Sequence, residues 1–216
     1  MNIKRVIFVR PGETDWNFSE RWQGWLDAPL NSHGRHQVER LAMLLRNIGI
    51  GALYTSDLRR AAETADVICK HTGIECKVDK RLRERDIGRW QGLKLDEVKE
   101  WFPKDYEEYM ADRMAYVFPG GESLVQVQER TCAAFNDILK EDAAETVAIV
   151  SHTVSIRVLL MTLIDGYDAV TARLGNSSVT TIARDGDGWK MVVPNDTMHL
   201  DGLESRIVKE MEDRAK

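Results

Sequence analysis

The residues of this chain best fitted to chemistry are a few arginines, one glutamate and one histidine. Arg10 directly follows the apolar run 6–9 and precedes Pro11-Gly12. An arginine at the carboxyl end of a strand can grip a phosphate or carboxylate with a bidentate fork. Open α/β sheets bind their ligands at such strand ends. Arg59 and Arg60 follow Thr55-Ser56-Asp57, where a strand runs into a helix start. His152 follows the apolar run 147–150, and Glu84 lies in the charged run 81–86. Singly, each has a bland reading. The helix arginines suit a solvated face, Glu84 an exposed charge run, His152 a hydrogen-bonded core histidine and Arg10 a structural ion pair. Together, at the ends of elements, they suit a pocket for a phosphate monoester.

Bringing these groups together requires a sheet. Residues 3–9, interrupted only by Lys4 and Arg5, form a short apolar run rich in β-branched residues, the pattern of a parallel strand buried on both faces. Further strands are predicted at 52–55, 76–78 and 146–151. Val38, Leu41, Ala42, Leu44, Leu45 and Ile48 recur at helical spacing, with Asn31 or Ser32 as N-cap and Gly49 and Gly51 as the stop. Ser56 or Asp57 is expected to cap the next helix. The turn at 119–123 opens a long helix to Lys140, and 154–164 is an apolar helix. Segments 16–30 and 82–92 read as loops. Residues 95–114 read as short helices over the carboxyl edge of the sheet. Trp16, Trp22, Trp25 and Trp90 read as core or loop anchors. Segments 178–183 and 189–193 flank Asp185-Gly186-Asp187-Gly188, a hairpin signal. The alternation predicts an α/β fold, a three-layer α/β/α sandwich whose mostly parallel sheet carries an antiparallel edge hairpin. One domain is expected over 1–202, with a lid-like insertion about 93–118, followed by a charged helix or tail over 203–216.

Composition narrows the functional classes. The chain has 216 residues, 43% of them apolar and 30% charged, as in ordinary globular proteins. A net charge of −5 gives no attraction for nucleic acid or an anionic membrane, so positive charge for an anion must be local. There is no apolar run of membrane-spanning length. The chain enters a strand almost at once, so no leader is expected. Cys69, Cys76 and Cys132 fit no metal spacing and suit a reducing cytoplasm. His33 and His36 have no third ligand near them in sequence, and neither a metal nor a cofactor is expected. The expected partner is a phosphorylated small molecule or phosphate ion; a homodimer is left open.

Residues 10–14, Arg-Pro-Gly-Glu-Thr, resemble the signature of the histidine phosphatase (phosphoglycerate mutase-like) superfamily, which reads Arg-His-Gly-Glu-Thr at the end of the first strand. The resemblance continues in order through Asn17, Gln23-Gly24, residues 55–65, 82–92, 119–123 and 149–152. It selects Arg60 rather than Arg59 as phosphate ligand. It implies Glu84 as the acid, His152 as the second histidine, and Thr14, Asn17, Gln23 and Gly24 as substrate-binding residues. The Gly-Arg-Trp-Gln-Gly run after Glu84 looks closer to the small phosphatases than to the glycolytic mutases. The chemistry is consistent with these roles. Arg10 and Arg60 can neutralise a phosphate, and a protonated His152 can add a donor. Repulsion by bound phosphate favours the protonated form of Glu84, which could then protonate a leaving oxygen.

Pro11 stands where the resemblance implies the nucleophilic histidine. A proline ring has no lone pair to attack phosphorus. The backbone accepts the change, because a residue before proline favours extended conformations and Arg10 ends a strand. The fold is therefore expected to survive and the phosphohistidine route to be lost. Three readings follow: a non-catalytic sensor of a phosphorylated metabolite, an enzyme using a surrogate nucleophile or direct water attack, or an inactivated variant of a phosphatase.

Overall fold

The computed structural model describes residues 2–203, so the expected helix or tail lies, apart from Leu203, outside the described residues. Among them, six strands form one sheet in the order β3-β2-β4-β1-β5-β6. They are β1 (Arg5–Val9), β2 (Ala52–Thr55), β3 (Cys76–Val78), β4 (Thr146–Val150), β5 (Val179–Asp185) and β6 (Gly188–Asp196). The first four run parallel, and β5 and β6 add the expected antiparallel hairpin beside β1.

The apolar runs form central strands because both of their faces find a partner. Val6 and Phe8 of β1 join Val147 and Ile149 of β4 in one buried cluster, with Phe135, Ile138, Leu159 and Leu160 from helices α6 (Leu124–Glu141) and α7 (Thr153–Leu163). Ile7 and Val9 join Ala148 and Val150 in a second cluster, with Leu41, Leu45, Ala61 and Ile68 from α2 (Ser32–Ile48) and α3 (Arg59–Thr72). This period-two alternation gives the three layers. Each fully buried large apolar side chain contributes about 1.5–3 kcal/mol.

Cap chemistry follows the sequence in part. Asn31 caps α2 by accepting the Gly34 N–H at 2.7 Å, and Gly49 ends it in the left-handed region at φ 76°. Ser123 caps α6 in a capping box with Gln126. The expected cap of α3 is corrected. That helix starts at Arg59 after Leu58, with no side-chain cap. Ser56 Oγ instead accepts the Leu58 N–H, and Asp57 is committed to a bidentate pair with Arg83 at 2.6 Å. The expected loop 16–30 is also modified by a short helix, α1 (Asp15–Phe18), too short to show a period in sequence.

Residues 95–114 do form short helices, α4 (Leu95–Trp101) and α5 (Pro103–Ala111). Val98, Phe102, Tyr106 and Tyr109 from this segment pack with Trp22, Trp90, Tyr116 and Phe118 in a third cluster. No helix among the described residues is long and apolar enough to cross a membrane.

Candidate functional site

Adjacent parallel strands β1 and β4 hold the site open. The chain leaving β1 continues to α2 on one face of the sheet, and the chain leaving β4 continues to α7 on the other. Their carboxyl ends therefore border a crevice, as at the switch points of other α/β sheets. Arg10, Pro11, Arg60, Glu84 and His152 all line one cleft of about 160 Å³ there. Asn17, Gln23 and Gly24 complete its wall. Thr14 is fully buried and is not part of the lining. It caps α1, accepting the Asn17 N–H at 3.2 Å, so the structure assigns it to holding the loop.

The turn after β1 is fixed from several sides. The Pro11 carbonyl accepts the Ser177 N–H at 3.0 Å. Gly12 N–H donates to Thr64 Oγ1 at 3.3 Å, and Glu13 N–H to Gln37 Oε1 at 3.0 Å. The turn crosses directly over the start of α2 at Gly34, where a Cβ would come within 2.1 Å of the Glu13 carbonyl oxygen. Only glycine permits that approach.

Arg10 and Arg60 are held by backbone carbonyls. One Arg10 nitrogen donates to the Leu174 carbonyl. Arg60 is 5% exposed and donates to the carbonyls of Gly24 at 2.9 Å and Leu26 at 3.2 Å. Among the described residues, no carboxylate forms an ion pair with either guanidinium. Burial lowers both to about 10, and the charge of Glu84 works in the opposite direction for each. Arg59, by contrast, is exposed and pairs with Glu63 at 2.8 Å, so only Arg60 of the two is buried at the cleft.

His152 sits just before α7 and is 2% exposed, with Nε2 buried and unpartnered. Burial first, then the charges of Arg60, Arg130 and Arg10, hold its imidazole well below the usual histidine range. In the ligand-free protein, burial and three nearby arginines therefore favour the neutral ring.

Glu84 is positioned by its own backbone and by α7. Its carboxylate accepts the N–H of Arg85 at 2.9 Å and of Val154 at 3.1 Å. Its carbonyl accepts from Arg130 at 2.9 Å and from the Trp25 indole at 2.5 Å. Asn17 Oδ1 is engaged by the Thr14 N–H, which leaves its amide nitrogen for the cleft it lines. Gln23 Oε1 is buried without a partner. Gly24 is at φ 53°, and a Cβ there would meet Gln91 at 2.6 Å. Arg21 and Thr153 also line the cleft. In the sequence Arg21 stands only as a residue of the 16–30 loop, and the one cue for Thr153 was its place next to His152. Such a cleft can bind a small multivalent anion with forked donors and hold one carboxyl group beside it.

The sequence profile of the histidine phosphatase superfamily (branch 1) matches residues 6–197. The chain is 36% identical over 204 residues to phosphoglycerate mutase-like protein 4 of Arabidopsis thaliana, covering 93% of this chain and 89% of the relative. It is 34% identical over 160 residues to phosphoserine phosphatase 1 of Hydrogenobacter thermophilus, covering 74% and 76%. Among solved structures, a mycobacterial glucosyl-3-phosphoglycerate phosphatase in complex with VO3 superposes with a TM-score of 0.81 at 30% identity, over 89% of this chain and 98% of that one.

Proposed function

Because the chain belongs to the histidine phosphatase superfamily, we propose that its cleft binds the phosphate group of a phosphorylated small molecule and that Pro11 closes the phosphohistidine route. The observation that carries this reading is the charge of the cleft. Two buried guanidiniums and an unpartnered imidazole nitrogen meet there, and Glu84 is the only acid in the lining. A phosphate dianion offsets two cations and accepts from their forks. Its charge also favours the protonated imidazole of His152, which then donates Nε2–H. Relatives named as phosphoserine and glucosyl-3-phosphoglycerate phosphatases support a phosphate monoester as the ligand.

In this reading the protein is a binder of phosphate esters, with hydrolysis confined to slow water attack. In that slow route the water oxygen bonds to phosphorus as the P–O bond to the ester oxygen breaks, Glu84 gives its proton to the leaving oxygen, and the water's released proton restores the Glu84 carboxyl. The second reading, an active enzyme by this route, rests on Glu84 lying in the same cleft.

Pro11→His separates the two. A ring nitrogen at position 11 can attack phosphorus while Glu84 protonates the leaving oxygen; water then cleaves the phosphohistidine. Restoring a covalent nucleophile to intact machinery should raise aryl phosphate hydrolysis by roughly a thousandfold or more. The variant should also carry a base-stable phosphoenzyme adduct by intact mass. An inactive, unphosphorylated histidine form sinks the claim that only the nucleophile is missing. A proline form that is already as fast establishes the second reading.

A further inference from the structure

Cys69 and Cys76 stand outside the cleft, and the fold brings them together. Cys69 lies in the last turn of α3, where its carbonyl accepts the Gly73 N–H at 2.8 Å. Gly73 turns the chain back at φ 74°, and Thr72 Oγ1 accepts the Ile74 N–H at 3.3 Å. Cys76 then opens β3, in register with Leu53 of β2. Both cysteine side chains pack against the buried cluster that α2 and α3 form with one face of the sheet. Both are free and half-buried, and the two thiols are hydrogen-bonded to each other. A cysteine often packs as a small apolar side chain. Here the contact is sulfur to sulfur, between residues that a reagent in solution can still reach.

Cys132 is the contrast within the same chain. It lies on α6, and its thiol donates to Thr162 Oγ1 at 3.7 Å. It packs against the cluster on the other face, so the sheet separates it from Cys69 and Cys76.

We propose that Cys69 and Cys76 form a dithiol site that a small-molecule disulfide oxidises to an intramolecular disulfide, fastening the end of α3 to the edge strand β3. In the first step the Cys69 sulfur gives up its proton and bonds to one sulfur of the reagent. The reagent's S–S bond breaks, and its other half leaves with the electron pair and takes up a proton. In the second step the Cys76 sulfur gives up its proton and bonds to the Cys69 sulfur, and the second half of the reagent leaves in the same way. Two electrons pass from the pair to the reagent, which ends as two thiols. The order follows from the contact between the sulfurs. The Cys76 hydrogen bond favours the Cys69 thiolate, whereas burial, and then the charge of Cys69, push the Cys76 thiol up to about 12. Burial, and then the charge of Asp66, raise Cys69 as well, so closure is slow at neutral pH and the site is read at equilibrium.

The crosslink acts where the sheet is weakest. β3 has three residues and a ladder partner on one side only, so it opens more readily than the central strands. Arg60 lies at the opposite end of α3, about 14 Å from Cys69 along the helix axis. The crosslink therefore fastens the edge of the sheet without entering the cleft.

The test equilibrates the full chain in glutathione buffers that run from fully reduced to fully oxidised, followed by acid quench, intact mass and peptide mapping. The unaltered protein should lose two hydrogens, with the crosslink mapped between Cys69 and Cys76 and no glutathione kept on either. Cys132→Ser should behave in the same way, and Cys69→Ala and Cys76→Ala should both lack the crosslink. Stability is compared between the oxidised and reduced forms of the unaltered protein, so the comparison needs no variant to fold. Closing so short a loop should raise the urea midpoint by about 1 M. Free thiols at Cys69 and Cys76 in the most oxidised buffer, a stable glutathione adduct on either, or a crosslink formed only between molecules overturns the proposal. A crosslink that leaves the urea midpoint unchanged overturns the fastening of β3.

Discussion

His152 shows how burial sets charge at the scale of one side chain. In an unfolded chain a histidine titrates near 6.5, whereas in this fold His152 takes up its proton only well below that value. Between those limits the unfolded state binds more protons than the native state. Stability is therefore full above the unfolded value and falls as pH drops below it. His199 is half-buried and lowered as well, so it adds in the same direction. In the ligand-free protein, His152→Gln should reduce the loss of stability between about pH 6.5 and pH 5, read from urea midpoints. An unchanged pH profile would remove His152 from the response. Arg59 and Arg60 make the same point about burial. They are adjacent in sequence and chemically identical, yet one is solvated beside Glu63 and the other is closed over by two carbonyls.

The element that carries Glu84 has little regular structure of its own, and α6 supplies its rigidity. Arg130 of α6 donates to the carbonyls of Arg81 and Arg83 at 2.7 Å and of Glu84 at 2.9 Å, and it pairs with Glu122 at 2.8 Å. Ser151 and Ser155 hydroxyls donate to the carbonyls of Leu82 and Arg83 from the β4–α7 side. The 81–86 segment is thus tied to α6 and to the β4–α7 connection on one face of the sheet. Arg130→Met takes one donor from a half-buried glutamate and from three carbonyls, of which Arg83 keeps the Ser155 hydroxyl and Glu84 the Trp25 indole. The expected loss is about 3 kcal/mol, measured as a lowered urea midpoint at constant m-value. A loss under about 1 kcal/mol would mean that the segment keeps its shape without Arg130.

At the scale of the whole molecule, a chain of net charge −5 keeps a cationic cleft at the carboxyl edge of its sheet. The overall field repels anions, so binding depends on short-range, desolvated contacts. A ligand that binds only the native state raises stability by RT ln(1 + [L]/Kd), about 2.7 kcal/mol at a hundredfold excess over Kd. Inorganic phosphate should therefore raise the melting temperature in proportion to the logarithm of its concentration, whereas sodium chloride of equal ionic strength should not. Arg60→Met should abolish the difference. Equal shifts with both salts would point to general screening in place of a site.

The sequence by itself determined the strands, the main helices and the chemical character of the site. These depend on neighbours in the chain: apolar runs with period two, helical spacing in α2, glycine after its last turn, and arginine, glutamate and histidine next to strand and helix ends. It also determined that position 11 carries no nucleophilic side chain. The tertiary structure decided what depends on contacts between distant segments. It chose Asn31 over Ser32 as the cap of α2, and it took Asp57 away from α3 to pair with Arg83. It buried Thr14 as a cap, withdrew the proton from His152, and brought Arg21 and Thr153 into the cleft wall. None of these follows from local pattern, because burial and the charges around a group are set by which surfaces the sheet and its two helical layers bring together.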